Sequence, residues 1–405
     1  MTERNSLNLK HATFRYSVLN IFFWLLFLCV SSYAGVYLKS QGFSGSEIGL
    51  TIAGGDAAAV VLQQFLSSLA DRSRKVTLTA ILLSIIVSVL LLQLTVFLAP
   101  LDKLHLGIIY AFSIMLMQNC QSLLNGICVY YLNRGADIQY GFGRGIGSFV
   151  FALASFWLGT HVAKNGTSQC TFFGIILCLV LLPLLLTMRT PKSIPPLGET
   201  KEKTAKTGSD SYFTFCRKNP EFMQLVLGMC LIYIMHLIIN SYAIQIVESL
   251  GGNSAQMGIW IGIAAIVEFP AMALYGTLEK KSSCTVLLMI STVGFTVKSL
   301  LNTTASTMPV FYVSNLFQFI GFALFMPASV SYINHVFGEQ DKNKALGMMI
   351  STSTIGGVIG NIIGGRLIDT VGVRTLLWIG TSISAVGTLI AVSAIRKNVR
   401  KSGMF

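Results

Sequence analysis

Glu268 stands near the middle of the apolar run GIWIGIAAIVEFPAMALYGTLEKK, which is long enough to cross a bilayer. A charge at that depth costs roughly 2.5–3.5 kcal/mol on insertion scales, so such a residue turns toward a cavity or a partner. Pro270 follows two residues later and cannot donate to the helix ladder, which frees the carbonyl of Ile266 beside the acid. A carboxylate next to a loosened backbone at mid-membrane is the chemistry of a solute-binding or proton-binding site. Asp56 is a second acid of this kind. The other polar residues within apolar runs fall at helical spacing. Gln118, Gln121 and Asn125 lie at i, i+3 and i+7, as do Tyr233, His236 and Asn240, while Asn315 and Gln318 make a shorter stripe. Polar stripes on otherwise apolar helices are what a water-lined cavity requires; hydrogen bonding between helices is the alternative use, worth under about 1–2 kcal/mol each.

Two cations complete the set. Arg144 lies in YGFGRGIGS, where Gly141, Gly143, Gly145 and Gly147 allow close approach of a neighbouring helix, and its side chain can reach inward by one turn. Lys298 sits about two-thirds along its run, where it can snorkel to the outer interface or pair with an acid. His236 is the one histidine deep in an apolar run, and a core role suits it better than a proton relay.

Twelve apolar runs position these residues: approximately 14–38, 46–69, 76–98, 105–132, 141–163 and 169–188, then 221–248, 255–278, 285–303, 309–336, 344–368 and 374–395. Most exceed the ~20 residues a helix needs to span the hydrocarbon core. The first is too long for the apolar segment of a signal peptide. The expected fold is an all-α membrane protein of twelve transmembrane helices in two pseudo-symmetric six-helix halves, 1–190 and 220–405. A cytoplasmic linker over 191–219, rich in Pro, Lys and Thr, joins them.

The halves repeat. QGFSGSEIGLTIAGGDAAAVV, from Gln41, lies over LGGNSAQMGIWIGIAAIVEFP, from Leu250, without a gap. Glu268 falls opposite Ala59, one helical turn from Asp56, so the second and eighth spans each carry an acid at nearly the same depth. Parallel halves with a midplane site between them are a common plan among secondary transporters.

Charged residues are 11% of the chain and hydrophobic ones 53%, a balance that excludes a water-soluble protein. The net charge of +13 does not point to nucleic acid. Most Lys and Arg fall in segments that are cytoplasmic if both termini are inside; Lys39, Lys103, Lys164 and Arg374 fall outside. The expected location is therefore the inner (plasma) membrane, with the lipid bilayer as partner. The eight cysteines show no metal or disulfide spacing, and neither a nucleotide loop nor a nucleophile triad is present, so no cofactor, metal or enzymatic activity is expected. Gly356, Gly360 and Gly364 form a ladder for helix contact, and Arg366 with Asp369 reads as an interfacial pair. Asn165-Gly-Thr and Asn302-Thr-Thr match glycosylation acceptors.

Twelve spans in two halves, with the basic loop SSLADRSRK between the second and third, resemble the major facilitator superfamily. Within it, YGFGRGIGS, the eighth-span acid and VKSLLNTTASTMPVFYVSNLFQFIGFALFMPASVSYI are most similar to the lactose permease and phenylpropionate permease group of proton symporters. The resemblance implies the major facilitator fold and solute transport. It matches Arg144 to that group's sugar-binding arginine, Glu268 to its eighth-helix glutamate and Lys298 to an arginine of the coupling network. Ser148 takes the place of a cysteine beside the sugar, and Phe151 that of an aromatic ring stacked on it. Gly126 stands where the lactose permease has a glutamate; Gln318 and Gly321 replace its tenth-helix histidine and proton-carrying glutamate. The expected function is proton-coupled uptake of a small solute, a sugar, nucleoside or aromatic acid, by alternating access, with the protein acting as a monomer. A coupling ion of Na+ is compatible with the same acids. A proton-coupled multidrug exporter is the alternative, and a receptor or lipid-handling protein a third.

Overall fold

In a bilayer every backbone polar group must be satisfied within its own segment, and helices answer that requirement along the chain. The computed structural model describes residues 11–72, 76–191 and 211–402. The membrane-length helices are α1 Ala12–Ser40, α2 Gly45–Arg72, α3 Leu78–Leu98, α4 Lys103–Leu132, α5 Tyr140–Asn165 and α6 Ser168–Leu186. After the linker come α7 Pro220–Ser241, α8 Ser254–Lys281, α9 Cys284–Thr304 and α10 Met308–Val336. A single helical stretch, Glu339–Ser402, then breaks at Gly372 (φ 81°, ψ 169°), a conformation that suits glycine. It divides into α11, 339–371, and α12, 373–402, so twelve membrane-length helices lie among the described residues.

Residues 192–210 of the expected linker, and 73–75 of the basic loop, lie outside the described residues. The end of the linker is helical: Tyr212–Lys218 precedes α7 and buries Phe215 against Phe222 and Phe337.

The helices start where the sequence offers caps. Thr77 accepts from the Ala80 amide at the start of α3, and Ser283 from that of Val286 at the start of α9, the equivalent place in the repeat. Asn253 and Gln256 form a capping box on α8.

Contacts divide the chain into two units. One comprises Met1–Phe43 and Thr51–Thr204, the other Ser44–Leu50 and Ala205–Phe405. The first is built around Tyr16, Phe23, Ile85, Met117, Leu124 and Leu181, from α1, α3, α4 and α6. The second is built around Met229, Ile232, Leu288, Phe295, Phe325 and Tyr332, from α7, α9 and α10. Hydroxyls join α9 to α12 within it: Thr296 meets Ser384 at 2.9 Å and Thr388 at 2.7 Å, and Thr303 meets Thr381 at 2.7 Å.

The opening turn of α2 groups with the second unit because Asp369 of α11 accepts from the amides of Gly45 and Ser46, both at 2.7 Å. A carboxylate on a helix N-terminus satisfies amides that have no intrahelical partner. This is the use of Asp369, in place of the expected pairing with Arg366. Asn302 is no glycosylation acceptor. It is 1% exposed inside α9, where it donates to the Lys298 carbonyl and accepts from Ser314.

The glycine ladder of α11 packs on α7. A Cβ on Gly356 would meet the Tyr233 Cβ at 2.7 Å, and one on Gly360 the Ile234 carbonyl oxygen at 2.7 Å. Gly360→Val should therefore destabilise the purified protein by about 1–3 kcal/mol, the usual cost of overpacking, read as a lower melting temperature in detergent.

Candidate functional site

In the second unit, α8, α9 and α10 each contribute one side chain to a chain of hydrogen bonds that is buried at its Lys298 end. Lys298 Nζ donates to Gln318 Oε1 at 2.6 Å, and Gln318 Nε2 donates to Glu268 Oε1 at 2.8 Å. The amide has only one orientation here, because an ammonium group can only donate and so must face the amide oxygen. Lys298 is 2% exposed and lies with Nζ 5.4 Å from the centre of the Trp260 ring, which is stacked on Phe311. The lysine thus points into the unit and does not snorkel. Glu268 is half-buried.

The sequence of α10 explains the placing of Gln318. The turn Phe319–Ala323 that follows it is a π-turn, a form frequent at functional sites. Gly321 lies against α9, where a Cβ would come within 3.3 Å of the Phe295 amide nitrogen, and a Cβ on Gly294 would meet the Gly321 nitrogen at 2.9 Å. Asn315, one turn before Gln318, is wholly buried and donates to the Trp260 carbonyl, which makes it helix-packing glue in place of a cavity lining.

The stripe on α7 divides. His236 is 5% exposed and stacks on Phe322, with centroids 5.5 Å apart and planes 9° apart; Phe295 and Tyr233 meet it edge-on. Asn240 lies within 3.3 Å of the His236 ring and donates to its carbonyl. Tyr233 and His236 are core residues of the second unit, while Asn240 is exposed.

In the first unit the second acid has the same kind of partner. Gln118 Nε2 of α4 donates to Asp56 Oδ1 of α2 at 2.9 Å. Gly55 lets the two helices meet there, since a Cβ on it would lie 2.8 Å from the Ala111 carbonyl oxygen. Further along α4, Asn125 Oδ1 accepts from Tyr140 at 3.4 Å and Tyr16 at 3.5 Å, and Gln121 between them is half-buried.

Arg144 sits apart from that pair. Its guanidinium lies 4.1 Å from the centre of the Trp24 ring on α1 and donates to Ser148 at 2.7 Å, with Phe151 edge-on to the same tryptophan. Gly143 and Gly147, four residues apart on one face, bring α5 onto α1. A Cβ on either would meet Tyr16 at 2.7 Å or Trp24 at 2.8 Å. Gly141 meets nothing within 4 Å.

Trp24 and Trp260, each beneath a cation, are the residues sequence reasoning missed. A tryptophan in an apolar run carries no periodic signal.

Comparison with known proteins adds the lineage. The model of the MFS_1 like family matches residues 13–378. The chain belongs to that family. An uncharacterised transporter of Bacillus subtilis, YwbF, is 24% identical over 395 residues, covering 95% of this chain and 94% of its own. The solved nucleoside transporter NupG has a TM-score of 0.76 at 17% identity, over 96% of this chain and 99% of its own. A bacterial homologue of the lysosomal transporter Spinster, inward-facing and unoccupied, has a TM-score of 0.68 at 14% identity, over 97% and 98% of the two chains.

This member of the MFS_1 like family is accordingly a multi-pass membrane transporter of the major facilitator fold, and not an enzyme. Its departures from the lactose permease pattern have physical consequences. The backbone contact at Gly321 leaves little room there for a glutamate. At Gly126 a Cβ would meet only the Leu78 side chain, at 3.4 Å.

Proposed function

We propose that this transporter takes up a small solute together with a coupling cation, a proton in the first instance, by alternating access in the cell membrane. It works as a monomer with both termini cytoplasmic. The observation that carries the reading is the Lys298–Gln318–Glu268 chain. Burying opposite charges is a poor way to stabilise a fold, because desolvation commonly cancels their attraction. At mid-span such groups mark solute and ion pathways. Glu268 is the group expected to change partners as the solute binds.

The arrangement around Arg144 supports a solute with polar groups on a planar or ring-shaped frame. A guanidinium held over Trp24 is a planar, always-charged group of the kind that recognises hydroxyls or a carboxylate. Phe151 and Trp24 supply aromatic surface beside it. Sugars, nucleosides and aromatic acids meet this description, and the likeness to a nucleoside transporter favours including nucleosides.

The test is uptake into proteoliposomes of a labelled hexose, uridine and phenylpropionate, with an imposed pH gradient. One of the three should accumulate above equilibrium when the outside is acid, and a protonophore should abolish the accumulation. Failure of all three, or gradient-driven flux of ethidium in the opposite direction, would overturn the reading, the latter in favour of an exporter.

A further inference from the structure

The repeat places an acid–glutamine hydrogen bond in each unit, and the two differ in charge. In the second unit, the glutamine also takes the ammonium of Lys298, so a cation is already built in beside Glu268. In the first unit, Asp56 accepts from Gln118, and no lysine, arginine or histidine contacts its carboxylate among the described residues. The helices that meet there offer none at this depth. From Gly45 to Ala70, α2 carries Glu47 and Asp56 as its charged residues, and α4 carries Lys103 and His105 at its start and no further cation through Leu132. Arg144, the deep cation of this unit, lies over Trp24 of α1 and on Ser148 of its own helix.

A mid-membrane carboxylate left with one amide donor is unbalanced by one charge. A polar cleft lies further along the same pair of helices. Beyond Asp56 on α2 and Gln118 on α4, this cleft of about 250 Å³ is lined by Gln63, Ser67, Asn119 and Ser122, with Leu66, Leu123 and Leu78 of α3 as its apolar wall. That volume accommodates several waters, and the polar lining can hold them. Gln63 bonds Ser122 across it at 3.4 Å, and Asn119 donates to the Ala59 carbonyl, one turn below Asp56.

We propose that Asp56 and Gln118 form a monovalent-cation site on the same pair of helices as this cleft, and that this pair, not Glu268, binds the coupling ion. The assignment rests on the cation-coupled reading above. Glu268 is balanced by Lys298 through Gln318 and is left to contact the solute. A proton or a sodium ion satisfies the same unbalanced carboxylate, so the site is defined by its charge.

Infrared difference spectra of the full-length protein in lipid test this without any solute, in one arm by changing pH in choline buffer and in the other by exchanging choline for Na+ at fixed pH. The Asp56 carboxyl should respond to pH, a further response to Na+ naming sodium and silence in that arm naming the proton, and these responses should be lost in Asp56→Asn and kept in Glu268→Gln. Lys298→Met should add a second titrating carboxyl that disappears again in Lys298→Met/Glu268→Gln. If Asp56→Asn does not fold, Gln118→Leu retains the acid and should shift the midpoint of the response. Loss of the response in Glu268→Gln with retention in Asp56→Asn overturns the assignment, as does a wild-type protein silent in both arms. So does a Lys298→Met protein with no added titration. Failure of the uptake assay with these responses intact would overturn the uptake reading and leave the ion site standing.

Discussion

Lys298→Met is expected to destabilise the protein by about 3–5 kcal/mol, the usual cost of stripping one partner from a buried charge pair. The ammonium is almost fully enclosed and its removal has two consequences. Glu268 loses the cation it reaches through Gln318, and Gln318 Oε1 loses the donor that fixes the amide. Glu268→Gln alone should cost a similar amount, because it leaves the ammonium unbalanced. The double variant should recover most of the loss: with both charges gone, Gln318 lies between an apolar side chain and a second amide that can exchange hydrogen bonds with it. Melting of the four proteins in detergent closes the cycle, and a coupling above about 1 kcal/mol is expected for residues linked in one network. Additive losses would mean that Gln318 does not connect the two charges. Both single variants should also lose solute accumulation, and the double variant should stay inactive while regaining stability. That outcome separates the structural role of the triad from its transport role.

Much of this arrangement was legible in the residues, and the limits fall in physically sensible places. The bilayer fixes helix length, so runs of apolar residues reveal the spans. Their ends are less sharp, as the continuous stretch through Gly372 shows, because a single left-handed glycine can turn the chain without a polar loop. The acids were visible because a carboxylate in an apolar run is costly wherever its helix packs. Their partners were not. Gln118 and Gln318 each appeared as one member of a stripe, and spacing along one helix cannot say which amide faces an acid on another. Lys298 was ambiguous for a related reason: its long stem reaches either the interface or the interior, and only the packing of α9 on α10 decides.

Two short patterns misled in opposite ways. Asn302-Thr-Thr reads as an acceptor site, yet the asparagine ties α9 to Ser314, since burial is a property of the neighbours and not of the three residues. Arg366 and Asp369 are i, i+3 neighbours, but Asp369 takes two amides at the start of α2 from far away in sequence. Among the four glycines of YGFGRGIGS, the helical period selects Gly143 and Gly147 for contact with α1, and Gly141 falls on another face.

That selection leads to the second large effect, at Arg144. Arg144→Lys is expected to lower the initial rate of solute uptake at least tenfold while leaving the melting temperature within a few degrees of the parent. Lysine keeps the charge but loses the planar fork that lies over Trp24. Misplacing a group that orients the solute by about 1 Å can cost on the order of a hundredfold in rate. Trp24→Phe retains a ring beneath the guanidinium and should cost much less than Trp24→Ala. The comparison is informative because Trp24 is also packed against Gly147. Loss of bulk should lower stability in Trp24→Ala, whereas loss of orientation should lower uptake in Arg144→Lys without that fall. If Arg144→Lys transports as the parent does, the arginine is an interfacial charge and the solute is held elsewhere in the unit. If it fails while Trp24→Phe works, the placement of the guanidinium over the ring is what the solute reads.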